Sequence, residues 1–281
     1  MNKKTFSKAL LSFLLMLITV VACNKQNTIL PDGNEQSLRK ARTETLLCNI
    51  LYSENADNGT LFNGVTKQTS TTYGITADST LSFDGTKSAR FELRDTDAMV
   101  QNGTRAEVTY GADTTHDRWF GFALYMPSTS WQYDNQDEVI MQWHQGGGAT
   151  PALCLRTKKD TLYLRVMGNK WLKIGGTAAM PKDIWRQFAV HIKFSSDTST
   201  NPSNSSTGMV EINVDTYWLL RYYGQNMYPV GSTYSEPIWK LGIYKSAWND
   251  NQTTMTNKRV IYFDRIQLGD NKCLEENFLL P

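Results

Sequence analysis

The chain has 281 residues, 40% of them hydrophobic and 20% charged, a balance that supports a globular core and excludes wholesale disorder, collagen-like repeats and a disulfide-dense miniprotein. The length fits one or two domains. Of 29 basic residues against 27 acidic ones, Lys3, Lys4 and Lys8 fall in an N-terminal leader, and removing them leaves 26 against 27, too near neutral for a protein held to nucleic acid by a basic surface.

Residues 1–22 read as a bacterial lipoprotein signal peptide. Lys3, Lys4 and Lys8 form its positive start, and the apolar run from Ala9 to Ala22 is too short to span a bilayer comfortably. Its ending, Val20-Val21-Ala22-Cys23, resembles a lipobox, so lipidation is expected on Cys23, with several acyl chains anchoring the protein in the bacterial cell envelope at the outer membrane. Residues 23–45 are polar, contain Pro31-Asp32-Gly33-Asn34 and lack apolar periodicity, as a tether would. Residues 46–281 form the expected folded body. Beyond Cys23 an odd number of cysteines remains, Cys48, Cys154 and Cys273, so at most one intramolecular disulfide is available. Cys48 and Cys273, near the two ends of the body where first and last strands often meet, are the preferred pair, with buried free thiols as the alternative.

Within the body, long helical patterns are scarce and short period-two runs recur: Ala89 to Leu93, Arg105 to Tyr110, Trp119 to Tyr125, Val139 to His144, Thr161 to Met167, Phe188 to Phe194, Met209 to Val214, Trp239 to Lys245 and Val260 to Leu268. Turn-rich pieces separate them, including Asp84-Gly85, Gly146-Gly147-Gly148 and the low-complexity Ser195 to Gly208 loop. The spacing predicts an all-β fold, a jelly-roll sandwich of two antiparallel sheets with a concave groove. Alternation assigns the faces. Arg105 and Glu107 oppose Ala106 and Val108; Gln142 and His144 oppose Met141 and Trp143; Lys240 and Tyr244 share a side across Gly242, opposite Leu241 and Ile243. If these three strands are neighbours, their polar faces make one groove of Arg, Gln, His, Lys and Tyr.

Several chemistries lack their parts. His116, His144 and His191 show no zinc-binding spacing, the glycine run is not followed by the Lys-Ser/Thr of a phosphate loop, and no Gly-x-Ser-x-Gly elbow occurs. Glu92, Glu107, Glu211 and Asp215 are available as a carboxylate pair for glycoside hydrolysis, but the Glu-x-Asp-x-x-Glu strand pattern is missing. β-Elimination of a 4-linked uronate asks for something else. A proton must leave C5 beside a carboxylate, so cationic or amide donors must neutralise that carboxylate and stabilise the enolate-like transition state. A His or Tyr takes the proton, and a Tyr hydroxyl can protonate the departing oxygen. The polar face supplies each part.

Gln142-Trp143-His144, preceded by Phe120-Gly121-Phe122-Ala123-Leu124-Tyr125-Met126-Pro127, resembles the core signature of the heparin lyase I family of polysaccharide lyases and its shorter glucuronan-lyase relatives. Leu81-Ser82-Phe83-Asp84-Gly85, Arg90-Phe91-Glu92-Leu93 and Arg105-Ala106-Glu107 resemble that family's upstream strands, and Lys240-Leu241-Gly242-Ile243-Tyr244-Lys245 its C-terminal catalytic strand. The resemblance implies His144 as Brønsted base and Tyr244 as acid, with Lys240 beside them and no cofactor needed for the chemistry. Shared facing adds Arg105 and Gln142 as holders of the substrate carboxylate, with Glu107 and Arg165 as further substrate-binding residues. The family's N-terminal catalytic Gln has no clear counterpart in Tyr52-Ser53-Glu54-Asn55-Ala56-Asp57, and the long insertion of heparin lyase I after its Gln-Trp-His segment is missing. The missing insertion, with the near-neutral charge, tilts the expected partner toward a lightly sulfated or unsulfated anionic polysaccharide such as glucuronan or ulvan, ahead of a heparin- or heparan-like chain.

Competing readings remain open. His191 reads as structural. Arg156, Lys158, Lys159, Arg165, Lys170 and Lys173 read equally as a substrate groove or a solvated face, and Trp131, Tyr133, Trp171, Trp239 and Trp248 as sugar platforms or core. Asp264, in Tyr262-Phe263-Asp264-Arg265, is a candidate ligand for a structural calcium ion. A monomeric lyase is the main reading; a non-catalytic glycan-binding lipoprotein and a jelly-roll glycoside hydrolase are the rivals.

Overall fold

The computed structural model describes residues 47–146, 148–175, 180–249 and 253–280. The expected signal peptide, the lipidation site Cys23 and the tether over 23–45 lie outside the described residues, as does Gly147 of the glycine run. The strands in chain order are β1 (Ile50–Glu54), β2 (Thr66–Gln68), β3 (Ile75–Asp78), β4 (Ser88–Arg94), β5 (Arg105–Ala112), β6 (Asp117–Tyr125), β7 (Glu138–His144), β8 (Leu153–Lys158), β9 (Thr161–Val166), β10 (Lys170–Lys173), β11 (Arg186–Lys193), β12 (Met209–Val214), β13 (Tyr217–Tyr223), β14 (Ile238–Tyr244) and β15 (Lys258–Gly269).

They form two antiparallel sheets in a jelly-roll sandwich. One has the order β13-β12-β11-β6-β15-β4-β3, with β1 also pairing β15; the other has the order β10-β9-β8-β7-β14-β5-β2. Alternating apolar residues of both sheets meet in one core. Phe120 of β6 packs edge-on against Trp143 of β7 and Trp239 of β14, at 5.1 and 5.0 Å between centroids, so the strands that carry polar residues outward are pinned by aromatics inward. Burying each such ring contributes about 1.5–3 kcal/mol.

All nine runs with clear alternation are strands, their ends within two residues of those expected. Six further strands, β1, β2, β3, β8, β10 and β13, escape the periodicity. β2, β3 and β10 are three- or four-residue pieces, and β13, Tyr-Trp-Leu-Leu-Arg-Tyr-Tyr, is apolar on both faces at a sheet edge. Cys48 and Cys273 are disulfide-bonded, and Cys154 is a buried free thiol. The bond ties the chain just before β1 to the chain just after β15, its own sheet partner, where Trp119, Ala189 and Phe278 cover it.

Candidate active site

β14 lies between β7 and β5, so the three polar strand faces are adjacent. The register brings Lys240 opposite Gln142, Gly242 opposite Glu107, and Tyr244 opposite Arg105. β8 and β9 continue the row, with Gln142 opposite Cys154 and Cys154 opposite Arg165. A cavity of about 440 Å³ opens on this face, and Arg105, Gln142, His144, Arg156, Arg165 and Tyr244 all line it. Lys240 and Glu107 belong to the same face but not to the cavity wall; both are buried in its floor.

Glu107 organises the floor. Arg105 Nη1 donates to one of its oxygens at 3.0 Å and Gln142 Nε2 to the other at 2.6 Å. This fixes the guanidinium and the amide in place while leaving Arg105 Nε, a buried donor, without a partner. The Nε of Arg165 is in the same condition. Buried donors without partners are costly unless a ligand meets them. Lys240 Nζ donates to Gln68 Oε1 at 3.1 Å, and Gln68 Nε2 donates in turn to Gln101 Oε1 at 2.6 Å. Burial, with Arg105 nearby and against the opposing pull of Glu107, lowers the Lys240 ammonium from its ordinary value.

His144 ends β7. Burial first, then the positive charges of Lys240 and Arg105, push its imidazole below the ordinary histidine value despite an opposing bond to the backbone of Ala149. It is therefore neutral near pH 7. Its Nδ1 accepts the Gly146 N–H at 2.8 Å, which leaves the proton of the neutral ring on Nε2. Tyr244 is held differently. The Arg105 guanidinium lies 4.5 Å from its ring centroid, and Asn249 Nδ2 donates to its hydroxyl at 3.2 Å while Asn249 Oδ1 accepts the Thr104 N–H at 2.6 Å. At Gly103 a Cβ would fall 2.4 Å from Arg105 Nη2 and 2.7 Å from the Tyr244 ring, so only glycine lets both side chains settle there.

Sequence reasoning missed Gln68, Gly103 and Asn249, and left Arg156, which lines the cavity, open between groove and solvated face. Gln68 sits on a three-residue strand, and Gly103 and Asn249 lie outside any strand, each reaching across the fold, to Tyr244 and to Thr104 respectively. The stretch 52–57 holds no glutamine; there Glu54 instead accepts the N–H groups of Ala56 and Phe62.

Other candidates separate from the site. Glu92, Glu211 and Asp215 belong to the opposite sheet or its turns, where Arg90 and Arg94, Arg221, and Arg186 respectively pair with them. That leaves Glu107 without any of them as the second carboxylate of a hydrolase. His191 also lies on the opposite sheet, stacked on Trp119 at 4.4 Å and bonded to Asp117 at 2.7 Å. Of the basic set, Arg156, Lys158, Arg165 and Lys173 share the groove face, Lys159 occupies the β8–β9 turn, and Lys170 points the other way, 4.6 Å from the Tyr222 ring centroid. Trp131, Trp239 and Trp248 are buried, whereas Trp171 and Tyr133 are exposed.

Asp264, the candidate calcium ligand, is buried beside the Phe83–Asp84 loop. Its carboxylate accepts the N–H groups of Phe83, Asp84 and Arg265 at 2.8, 3.0 and 2.7 Å. Among the described residues no group of three or more His, Cys, Asp or Glu side chains is placed to hold a metal. Asp264 holds a loop.

A family model described as polysaccharide lyase matches residues 56–267. No curated protein matches the sequence. Among solved structures, the chain is similar to endo-beta-1,4-glucuronan lyase from the fungus Trichoderma reesei, with 20% identity and a TM-score of 0.62 over 79% of this chain and 96% of that one. It is also similar to the cellulose-induced protein Cip1, with 10% identity and a TM-score of 0.52 over 77% and 96% of the two chains. The catalytic domain of a glycoside hydrolase family 131 protein from Coprinopsis cinerea matches with 10% identity and a TM-score of 0.50 over 75% and 86%. At these identities the structural likeness establishes the fold.

Proposed function

The chain belongs to the polysaccharide lyase family, and from that premise we propose that it cleaves a uronic-acid-containing polysaccharide by β-elimination at the cavity on the seven-stranded sheet. The observation that carries this reading is the convergence of His144, Tyr244, Gln142 and Arg105 on one cavity, two proton-transfer groups beside two donors held by one buried carboxylate. Arg105 and Gln142 meet the uronate carboxylate and disperse the charge that builds when C5 loses its proton. The C5–H electrons become the C4–C5 double bond, the C4–O bond breaks, and the departing oxygen takes a proton from the Tyr244 hydroxyl. The product carries a 4,5-unsaturated uronate at its new non-reducing end.

His144, neutral and in the wall, is the base in the first division of labour. The Gly146 N–H on Nδ1 favours a second one. With that lone pair engaged, the Nε2–H donates to substrate and Tyr244 handles both proton transfers. Glucuronan-like or other lightly sulfated polymers are the proposed substrates, supported by the near-neutral chain and by the named activity of the fungal relative. The proposed setting is the outer membrane, through lipid on Cys23; metabolic labelling with a fatty acid checks it, and label retained in a Cys23→Ser variant would reject it.

The functional test is ultraviolet absorbance of the unsaturated product on a panel of glucuronan, ulvan, alginate and heparin. Tyr244→Phe is expected to lower turnover by about 10²–10⁴-fold with polymer binding kept. His144→Gln, which retains a donor, keeps much more activity than His144→Ala if His144 donates, and is equally inactive if it is the base. No chromophore from any polymer, or full turnover in both Tyr244→Phe and His144→Ala, would reject the assignment.

A further inference from the structure

Beyond the cavity, the same sheet face continues over β8, β9 and β10. There one indole is exposed: Trp171, 38% accessible. It stands opposite Arg165 in the β9–β10 ladder, and Tyr163 braces it edge-on at 5.5 Å. Three cations surround its ring, Arg156 at 5.7 Å, Arg165 at 5.8 Å and Lys158 at 6.0 Å from the centroid. Elsewhere in the molecule some cations come closer to a ring: 4.3 Å for Arg94 over Tyr73 and 4.5 Å for Arg221 over Trp218. The three over Trp171 stand farther off, and the indole keeps 38% of its surface accessible. Asp137 pairs with Arg156, but among the described residues no carboxylate lies within ion-pair distance of Arg165 or Lys158. Arg165 Nε is also a buried donor with no partner.

We propose that Trp171, with Arg156, Lys158 and Arg165 close to its ring, is a subsite that stacks one sugar ring of the polymer and holds its carboxylate, outside the pair of residues being cleaved. An indole face suits the apolar face of a pyranose. A uronate carboxylate relieves the mutual repulsion of three close cations and meets the guanidinium donors. Continuity with the scission site is direct, because Arg156 and Arg165 line the catalytic cavity as well. On the other side of Tyr244 the same face offers amides and hydroxyls, Gln68, Gln101 and Thr109, with Lys240 already bonded to Gln68. The exposed indole and its cations thus lie on the β8–β10 side of the face.

This inference rests on the proposed lyase groove, and its test separates the two. In the full chain, Trp171→Ala is expected to raise KM for long glucuronan about tenfold while kcat stays within twofold, and to leave KM for the shortest cleavable oligosaccharide nearly unchanged. Trp171→Phe, which keeps a ring, restores most of the loss and shows that the strand still folds. Independently, glucuronan binding to the Tyr244→Phe protein is followed by tryptophan fluorescence, and the quench disappears in the Tyr244→Phe, Trp171→Ala double variant. Turnover with KM unaffected by Trp171→Ala at every chain length overturns the subsite and leaves the lyase reading standing. Trp171-dependent binding with no unsaturated product from any polymer does the reverse.

Discussion

Two lysines on the same stretch of chain show two uses of buried charge. Lys245, just past β14, is fully enclosed with Asp134, Glu138 and Arg259. Its Nζ reaches Glu138 at 2.7 Å and Asp134 at 3.1 Å; Arg259 comes within 3.2 Å of Glu138 and 3.6 Å of Asp134, and donates to the Gln132 carbonyl at 2.8 Å. Cations and carboxylates match there, two against two. Lys240, five residues earlier, is also buried but faces a neutral glutamine. In its groove Arg105, Arg156, Arg165 and Lys240 outnumber Glu107 and Asp137. A closed network joins the start of β7, the start of β15 and the end of β14, and so holds the frame on which Tyr244 sits. An open one leaves positive charge unmet where the substrate's negative charge is proposed to go.

If that distinction is right, removing one member of the closed network must cost far more stability than removing a groove cation. Glu138→Gln keeps the shape but leaves Lys245 and Arg259 with one carboxylate between them, and about 3–5 kcal/mol of destabilisation is expected. Urea or thermal unfolding measures it. A cost under about 1 kcal/mol would erase the comparison.

Lys240→Met sharpens it from the other side. Exchanging a buried, unmatched cation for an apolar chain of similar length is expected to leave stability within about 1 kcal/mol of the parent or to raise it. Its signature is in the pH profile. Burial is the largest cause holding His144 below its ordinary value, and Lys240 is the next. Without the lysine the imidazole rises, so where His144 is the base its protonation inactivates the enzyme at a higher pH and the acidic limb of kcat/KM moves up. A limb that stays in place would mean that His144 does not govern it.

These positions were not equally readable from the chain. The polar alternation in Arg105-Ala106-Glu107, Gln142-Trp143-His144 and Lys240-x-Gly242-x-Tyr244 states which side chains share a face, because period two is a local property of extended backbone. It does not state which strands are neighbours; that follows from the β5-β14-β7 order, a product of contacts over more than a hundred residues. Gln68 and Asn249 were hidden for the same reason, since each acts on a residue remote in the fold's wiring or lies on a strand too short to show a period. The side taken by Lys170 was open because residue type alone does not reveal the face on which a partner waits. The Lys245 network was invisible, its carboxylates lying in a loop and at the first residue of β7.

The opposite sheet supplies the mirror case, and the smallest effect. His191 sits among carboxylates, with Asp117 at 2.7 Å and Glu211 at 3.8 Å, where His144 sits among cations. Burial opposes its charge, but hydrogen bonds to Asp117 and Glu211 outweigh it and raise the imidazole above its ordinary value. A group whose folded value is raised stabilises the fold fully below its unfolded value, near 6.5, and loses that contribution as pH climbs through the raised value. His191→Gln is thus expected to lower stability at about pH 6 by about 1 kcal/mol or less and to have less effect at about pH 9. Because the residue lies on the sheet away from the cavity, turnover should be unchanged at either pH. Unfolding midpoints at the two pH values, compared with kcat, test both parts. An equal loss of stability at both would show that stacking on Trp119, rather than charge, fixes this histidine.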